Sequence, residues 1–311
     1  MVEDNEIKAQ VSPFAIREGE IKTFDGKDGY VSMNQIVHKI NIGHITDIHF
    51  AILELVNQFE FITSRQLYQM LEIKGIDAKS QDKLNNKLEA LVKSKILTRY
   101  YFTSEEGKGI YRIYCLEKMG KYLLNSKEIE CKWQPSDNTK PVPMIKKRLA
   151  GNQTLIAYLR KVKAFDDFVV KPSLTAKTAG KVFKATGGSV KLTKNKKSIQ
   201  FLFEVIRREP DWKKKLVEKM RLYQDFYANF VPGDSGFSTM PQLIFVCEDE
   251  KHMAETFKEI ITNQVEIPQL KLYFTTDLRQ NEETLENTLV EFKLVDGKYK
   301  MENIELKLLG M

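Results

Sequence analysis

Ile48, Ala51, Ile52, Leu55, Val56 and Phe59 recur at the three-and-four spacing of a helix with one apolar face, and Thr46 or Asp47 is placed to cap it. A second start signal follows at Thr63-Ser-Arg-Gln66, a capping box with Leu67, Met70 and Leu71 behind it, and Gly75 closes that helix. Ser80 can cap a third helix reaching about Ser94, with Leu84, Leu88, Leu91 and Val92 turned inward. The residues Ile96 to Phe102 and Ile110 to Leu116 have strand propensity and flank the turn Glu105 to Gly109. A short helix from Glu117 to Leu124 ends this unit.

The stretch Ser126 to Pro143, with Pro135, Pro141 and Pro143, lacks either period and reads as a domain boundary. The expected organisation is therefore an arm over 1–43, a helical and hairpin unit over 44–126, a linker over 127–143 and a second domain over 144–311. In the second domain a helix from Lys146 to Ala164 precedes strands at Phe168 to Lys171, Val190 to Thr193 and Ile199 to Ile206. A long helix from Trp212 to Phe230, a buried strand at Gln242 to Cys247, a helix from Glu250 to Asn263 and a strand at Leu270 to Thr275 complete the alternation. The order implies an α/β sheet with covered faces, so the whole chain reads as α+β.

Charge sharpens this picture when taken by segment. Of 311 residues with a net charge of +7, those from Cys131 to Arg221 include 23 Lys or Arg against 7 Asp or Glu, and those from Leu222 to Met311 include 8 against 16. The basic block would attract a polyanion, with nucleic acid the first expectation. The acidic half, with Glu248-Asp-Glu250 and Glu282-Glu283, is a candidate docking surface for a basic partner such as a relaxase, set against the plainer reading of a solvated face.

No run approaches the roughly 18 apolar residues of a membrane span, and the first ten residues are acidic and polar, so a cytoplasmic protein without a membrane partner is expected. Cys115, Cys131 and Cys247 share no ligand spacing and read as buried thiols; neither a metal nor another cofactor is expected. Thr178-Ala-Gly-Lys181 and Thr186-Gly-Gly-Ser189 match no nucleotide-binding fingerprint, and Gly187 and Gly188 read as a turn.

Three short helices followed by a hairpin, with the words Leu88-Glu-Ala-Leu-Val-Lys-Ser-Lys-Ile-Leu97 before Thr98-Arg-Tyr-Tyr-Phe102, resemble the winged helix-turn-helix. In that reading the third helix enters a DNA groove, presenting Lys79, Gln81, Lys83, Asn86 and Lys87, while Arg99, Lys108 and Arg112 serve the hairpin wing. Lys146, Lys147 and Arg148 on the next helix, and Lys194, Lys196 and Lys197 at a lysine-rich hairpin tip, would extend the contact to phosphates.

A winged helix before such an α/β domain resembles the replication-relaxation family of Gram-positive plasmids and conjugative elements, whose second half is similar to the PD-(D/E)xK nuclease fold. Phe201-Leu-Phe-Glu-Val-Ile206, the helix with Lys215, Lys219 and Tyr223, and Pro241-Gln-Leu-Ile-Phe-Val246 carry the likeness. The resemblance implies an accessory protein that binds double-stranded DNA without cutting it, in replication or relaxosome assembly, with a relaxase or replication protein as partner and a homodimer as an open alternative.

Nuclease chemistry of that type needs two acids and a lysine around Mg²⁺. Glu204 stands where the second acid belongs, but Ile206 replaces the lysine and Thr186 to Leu192 lacks an Asp. The alternative enzymatic reading uses Glu204 with Asp166 or Asp167 and takes Lys219 from the helix. A third reading is a winged-helix transcriptional regulator.

Overall fold

The computed structural model describes residues 12–104, 107–162, 165–194, 197–265, 267–268, 270–282 and 288–304, with the side chains of 107–110, 165, 194, 197 and 282 excepted. It is a mixed α+β protein.

The amino-terminal part runs β1 (Ile21–Phe24), α1 (Met33–Asn41), α2 (Asp47–Phe59), β2 (Ile62–Thr63), α3 (Ser64–Ile73), α4 (Gln81–Lys93), β3 (Leu97–Ser104), β4 (Gly107–Leu116) and α5 (Lys118–Ser126). The caps lie where the side chains allow. Thr63 accepts from the Gln66 amide and Gln66 returns the bond, and Ser80 accepts from the Lys83 amide. The strands form one sheet in the order β1-β3-β4-β2.

After a short 3-10 helix at Pro135–Thr139 come α6 (Val142–Lys161), β5 (Phe165–Val169), β6 (Ser173–Ala176), β7 (Lys181–Lys184), β8 (Gly188–Lys194) and β9 (Lys197–Val205). The chain continues through α7 (Trp212–Ala228), β10 (Gln242–Cys247), α8 (Glu250–Thr262), β11 (Tyr273–Thr276), α9 (Asp277–Glu282), β12 (Leu289–Val295) and β13 (Lys298–Ile304). The large sheet has the order β13-β12-β11-β10-β9-β8-β5. β9, β10 and β11 are mutually parallel and the flanking pairs are antiparallel.

Alternation along β9 explains the two faces. Phe201, Phe203 and Val205 join Leu149, Leu155 and Tyr158 of α6 in a core that continues without a break into Leu88, Ile52 and Phe59 of the amino-terminal part. Leu202 faces the other way, toward Met220, Tyr223 and Tyr227 of α7 and Met253 of α8. Polar contacts cross the same seam: Gln66 Nε2 donates to the Leu149 carbonyl at 2.8 Å and Asn152 Nδ2 to the Phe61 carbonyl at 2.7 Å. Within 127–143, Cys131 and Asn138 are buried, and Asn138 Nδ2 donates to the Leu116 carbonyl at 2.8 Å.

Gly187 is pressed from two sides: Gly151 of α6, where an added Cβ would stand 2.8 Å from the Gly187 Cα, and Phe203 of β9. A Cβ on Gly187 would stand 2.7 Å from the Phe203 Cβ and 2.9 Å from its carbonyl oxygen, so only glycine fits.

The arm of 12–43 lies on both halves. β1 pairs with β3, Phe14 is buried, and Ile16 donates its amide to Glu248 Oε1 at 3.3 Å. Ser12 hydrogen-bonds Asp277, and Lys146 bonds the Ala15 carbonyl. These contacts cover the C-terminal ends of the parallel strands, where Arg207 Nη2 donates to both carboxylate oxygens of Asp277 at 2.8 Å.

Candidate nucleic-acid interface

The outer side of α4 borders a cleft of about 1600 Å³ between the amino-terminal part and the carboxyl-terminal end of α6. Its geometry follows from the helical period. Leu84, Leu88, Leu91 and Val92 bury one arc of α4, and at about 100° per residue Gln81, Asn85, Asn86 and Glu89 fall on the flank that lines the cleft. Lys83 and Lys87 fall on the other flank. Burial, reinforced by the Lys87 charge, lowers the His49 pKa there. Asn86 and Lys83, at the outer edges of the two flanks, form the exposed crest together with Asp82, Ala90 and Lys93.

Several cations of the cleft already have partners. Arg99 bonds Glu89 at 2.5 Å and Asp25 at 2.8 Å, Arg112 bonds Asp25 at 3.0 Å, and Lys79 bonds Asp77 at 2.6 Å. The Arg99 hydrogen bond holds the Glu89 carboxyl below its usual range. Gln81 Nε2 donates to the Ser64 carbonyl at 3.3 Å and to Asn85 at 3.2 Å. Arg65 at the start of α3 and Arg160 near the end of α6 are exposed on the cleft rim. Among the described residues neither has an ion-pair partner. Their helical positions beside a buried stripe were the sequence signal for both.

The structure corrects the phosphate-contact expectation for the start of α6. Lys146 is 2% exposed and meets Glu20 at 2.5 Å, Arg148 is 8% exposed and donates to the Val170 carbonyl at 2.8 Å, and Lys147 is half-buried against Glu209. Arg99, 9% exposed, is corrected in the same way: its guanidinium is held by Asp25 and Glu89 beneath the hairpin. The side chains of Lys108, Lys194 and Lys197, and Lys196 entirely, lie outside the described residues.

Of the acidic run only Glu248 is withdrawn from the surface; Asp249 and Glu250 are ion-paired but accessible, and the Glu282 side chain and Glu283 lie outside the described residues. Glu248 is buried against Arg208, Asp249 caps α8 and bonds Arg208 at 2.5 Å, and Glu250 bonds Arg279 at 2.6 Å. Much of the sequence-level charge split is thus cancelled by folding.

The chain matches no protein-family model and no curated protein.

Glu204 lies on the α7 face of β9, 2% exposed. Lys219 Nζ reaches Oε1 at 2.7 Å, the Tyr223 hydroxyl donates to Oε2 at 2.7 Å, and the Thr186 hydroxyl and amide donate at 2.9 and 3.3 Å. Burial and the Glu204 charge push the Tyr223 phenol well above its usual value, so it remains a donor. Both carboxylate oxygens are therefore bonded within the protein.

The expectation that Asp166 or Asp167 joins Glu204 on a metal is corrected by the sheet register. Asp166 bonds Lys191 at 3.0 Å and Thr193 at 3.2 Å, and Asp167 is also paired with Lys191 in the ladder. Lys191 lies opposite Gln200, four residues before Glu204 and so about 13 Å along the strand. Among the described residues, no three His, Cys, Asp or Glu side chains come together as a metal-binding group. No described helix is long and apolar enough to cross a membrane. Cys115, Cys131 and Cys247 are buried and unpaired.

Proposed function

We propose that this chain binds double-stranded DNA through α4 and the β3–β4 hairpin, as a winged helix-turn-helix, without cutting it. The observation that carries the reading is the uncovered crest of α4, with Asn86 and Lys83 exposed and Arg65 and Arg160 exposed on the adjoining rim. Asn can hydrogen-bond a base edge with both donor and acceptor, and unpaired guanidinium groups suit phosphate oxygens. The succession α2, α3, α4, β3, β4 supports the same assignment.

The second domain then acts as a nuclease-like body that has lost its chemistry. Glu204 with Lys219 is the surviving pair, and its donors hold the carboxylate in a structural role. An accessory task on a plasmid or conjugative element, in replication or relaxosome assembly, is the biological setting proposed from the resemblance. DNase footprinting on the DNA flanking its own gene tests this: protection of a discrete duplex site by the native chain, lost in Asn86→Ala, supports it. Protection absent, or unaffected by changes on α4, refutes it.

A further inference from the structure

A second cavity, of about 290 Å³, lies away from the α4 crest, between the end of α2, the Pro135–Thr139 turn and the segments around Lys171 and Lys184. Glu60 forms its floor with φ 66° and ψ −61°, and Phe61 donates its amide to the Phe59 carbonyl at 2.8 Å. That is a γ-turn at a non-glycine residue, a strained geometry that needs support from its surroundings. Asn152 supplies part of it through the Phe59 and Phe61 carbonyls, at 3.3 and 2.7 Å.

The turn presents the Glu60 carboxylate to three cations at once. Lys171 bonds it, Arg148 Nε stands at 3.5 Å and Lys140 Nζ at 3.8 Å. Lys184 lines the same cavity, exposed and, among the described residues, without an ion-pair partner. The other carboxylate of the cavity, Asp137, bonds Lys140 at 2.8 Å. Lys132, which also lines the cavity, is paired with Glu130 at 3.2 Å; the other four cations, three lining the cavity and Arg148 behind Glu60, meet two carboxylates, and burial lowers the Lys171 pKa even with Glu60 beside it. An incoming anion with close to two charges would balance the set. Trp133 and Phe61 give the cavity flat apolar walls, and the Trp133 ring is fixed by its Nε1 bond to Asn138 at 3.1 Å.

We propose that this cavity binds a phosphate monoester of at most mononucleotide size, its dianionic head placed among Lys140, Lys171 and Lys184, with Arg148 buried behind Glu60, and its organic part against Trp133. A monoester carries about 1.5 to 2 negative charges at neutral pH, which matches the excess, and a cavity near the low end of ligand-pocket sizes admits little more. Glu60 screens the cations from one another when the site is free and, by competing for them, tunes its affinity. The same head group could arrive as a free nucleotide or as the 5′ end of a nucleic-acid strand. The site is independent of the α4 reading and stands or falls without it.

The chain has two tryptophans, so Trp212→Phe leaves Trp133 as the single reporter. Its fluorescence is titrated with inorganic phosphate, a nucleoside monophosphate, and a single-stranded oligonucleotide with a 5′-phosphate or a 5′-hydroxyl. Saturable binding of the monophosphate is expected, weakened about threefold by Lys184→Ala and at least tenfold by Lys171→Ala, and strengthened about threefold by Glu60→Gln. Response to phosphate and mononucleotide identifies a free ligand, and response to the 5′-phosphorylated strand alone identifies a strand end; either supports the site. No saturation with any probe, equal binding of the 5′-hydroxyl strand, or affinity unchanged by both Lys184→Ala and Glu60→Gln in folded protein overturns it.

Discussion

Lys219 Nζ stands 2.7 Å from Oε1 of Glu204, one turn of α7 before Tyr223, whose hydroxyl bonds the other carboxylate oxygen at 2.7 Å. A carboxylate so enclosed joins α7 to β9. To hold a metal it would have to release donors it already has, and the register leaves Asp166 and Asp167 out of reach. Supercoiled DNA incubated with Mg²⁺ or Mn²⁺ is therefore expected to remain un-nicked. Metal-dependent nicking that disappears in Glu204→Ala would refute the structural role. The same substitution should lower the unfolding free energy by about 2–3 kcal/mol in urea titrations, because it strands the Tyr223 hydroxyl and a mostly buried ammonium.

The Arg207–Asp277 pair gives a second stability prediction. Arg207 is fully buried and Asp277 nearly so, and burial raises the Asp277 pKa despite the guanidinium. Arg207→Ala should cost about 3–5 kcal/mol by leaving a buried carboxylate without its partner. The double variant Arg207→Met with Asp277→Leu should recover most of that loss. Additive losses in the double-mutant cycle would mean that the two groups do not act as a pair.

His252 makes the fold acid-sensitive. Burial, then Arg208 and Arg207, push its imidazole down to about 3, and its Nδ1 accepts the Glu248 amide at 3.3 Å. The folded pKa lies below the unfolded value of about 6.5, so the associated stability is present above pH 6.5 and is lost as pH falls toward 3. Each unit of the difference is worth roughly 1.4 kcal/mol. Chemical denaturation at pH 7 and pH 5 should show this loss, and His252→Gln should reduce it. An unchanged pH slope in that variant would remove His252 as its source.

Gly187→Ala tests the close approach of the turn before β8 to Phe203 of β9. A Cβ at 2.9 Å from the Phe203 carbonyl oxygen cannot be relieved by a side-chain rotation alone. A loss of about 1–3 kcal/mol is expected, read from the denaturation midpoint. A midpoint equal to that of the native chain would show that this backbone approach relaxes freely.

The sequence was most legible where signals are local. The Thr63–Gln66 capping box and the Ser80 cap begin α3 and α4, and apolar spacing marks their buried arcs. Ser32-Met-Asn-Gln35 is the same kind of box, and it begins α1, which the weak periodicity of the arm concealed. Asp296-Gly297, with φ 53° and 71°, turns β12 into β13 and is a local Asp-Gly hairpin signal. The short β6–β7 hairpin has four-residue strands and little apolar alternation to find.

Long-range charge pairing was not legible. Lys146 reads as a surface lysine because Glu20 is remote in sequence, and Arg148 meets Glu60 across the seam between the two halves. A segment count of charges cannot register such cancellation. Arg65 and Arg160, without an ion-pair partner among the described residues, differ from the other cations only through such distant pairings.

Salt-dependent duplex binding tests the central claim most directly. Fluorescence anisotropy of a duplex from the footprinted site, measured with the native chain, Arg65→Ala, Arg160→Ala and Asn86→Ala, should give an affinity that falls linearly with the logarithm of salt concentration. Each arginine variant should reduce that slope by about one, and Asn86→Ala should cost about 1–3 kcal/mol on the specific site while leaving random duplex nearly unaffected. Binding that ignores salt, or that none of the three substitutions alters, would contradict DNA recognition through α4.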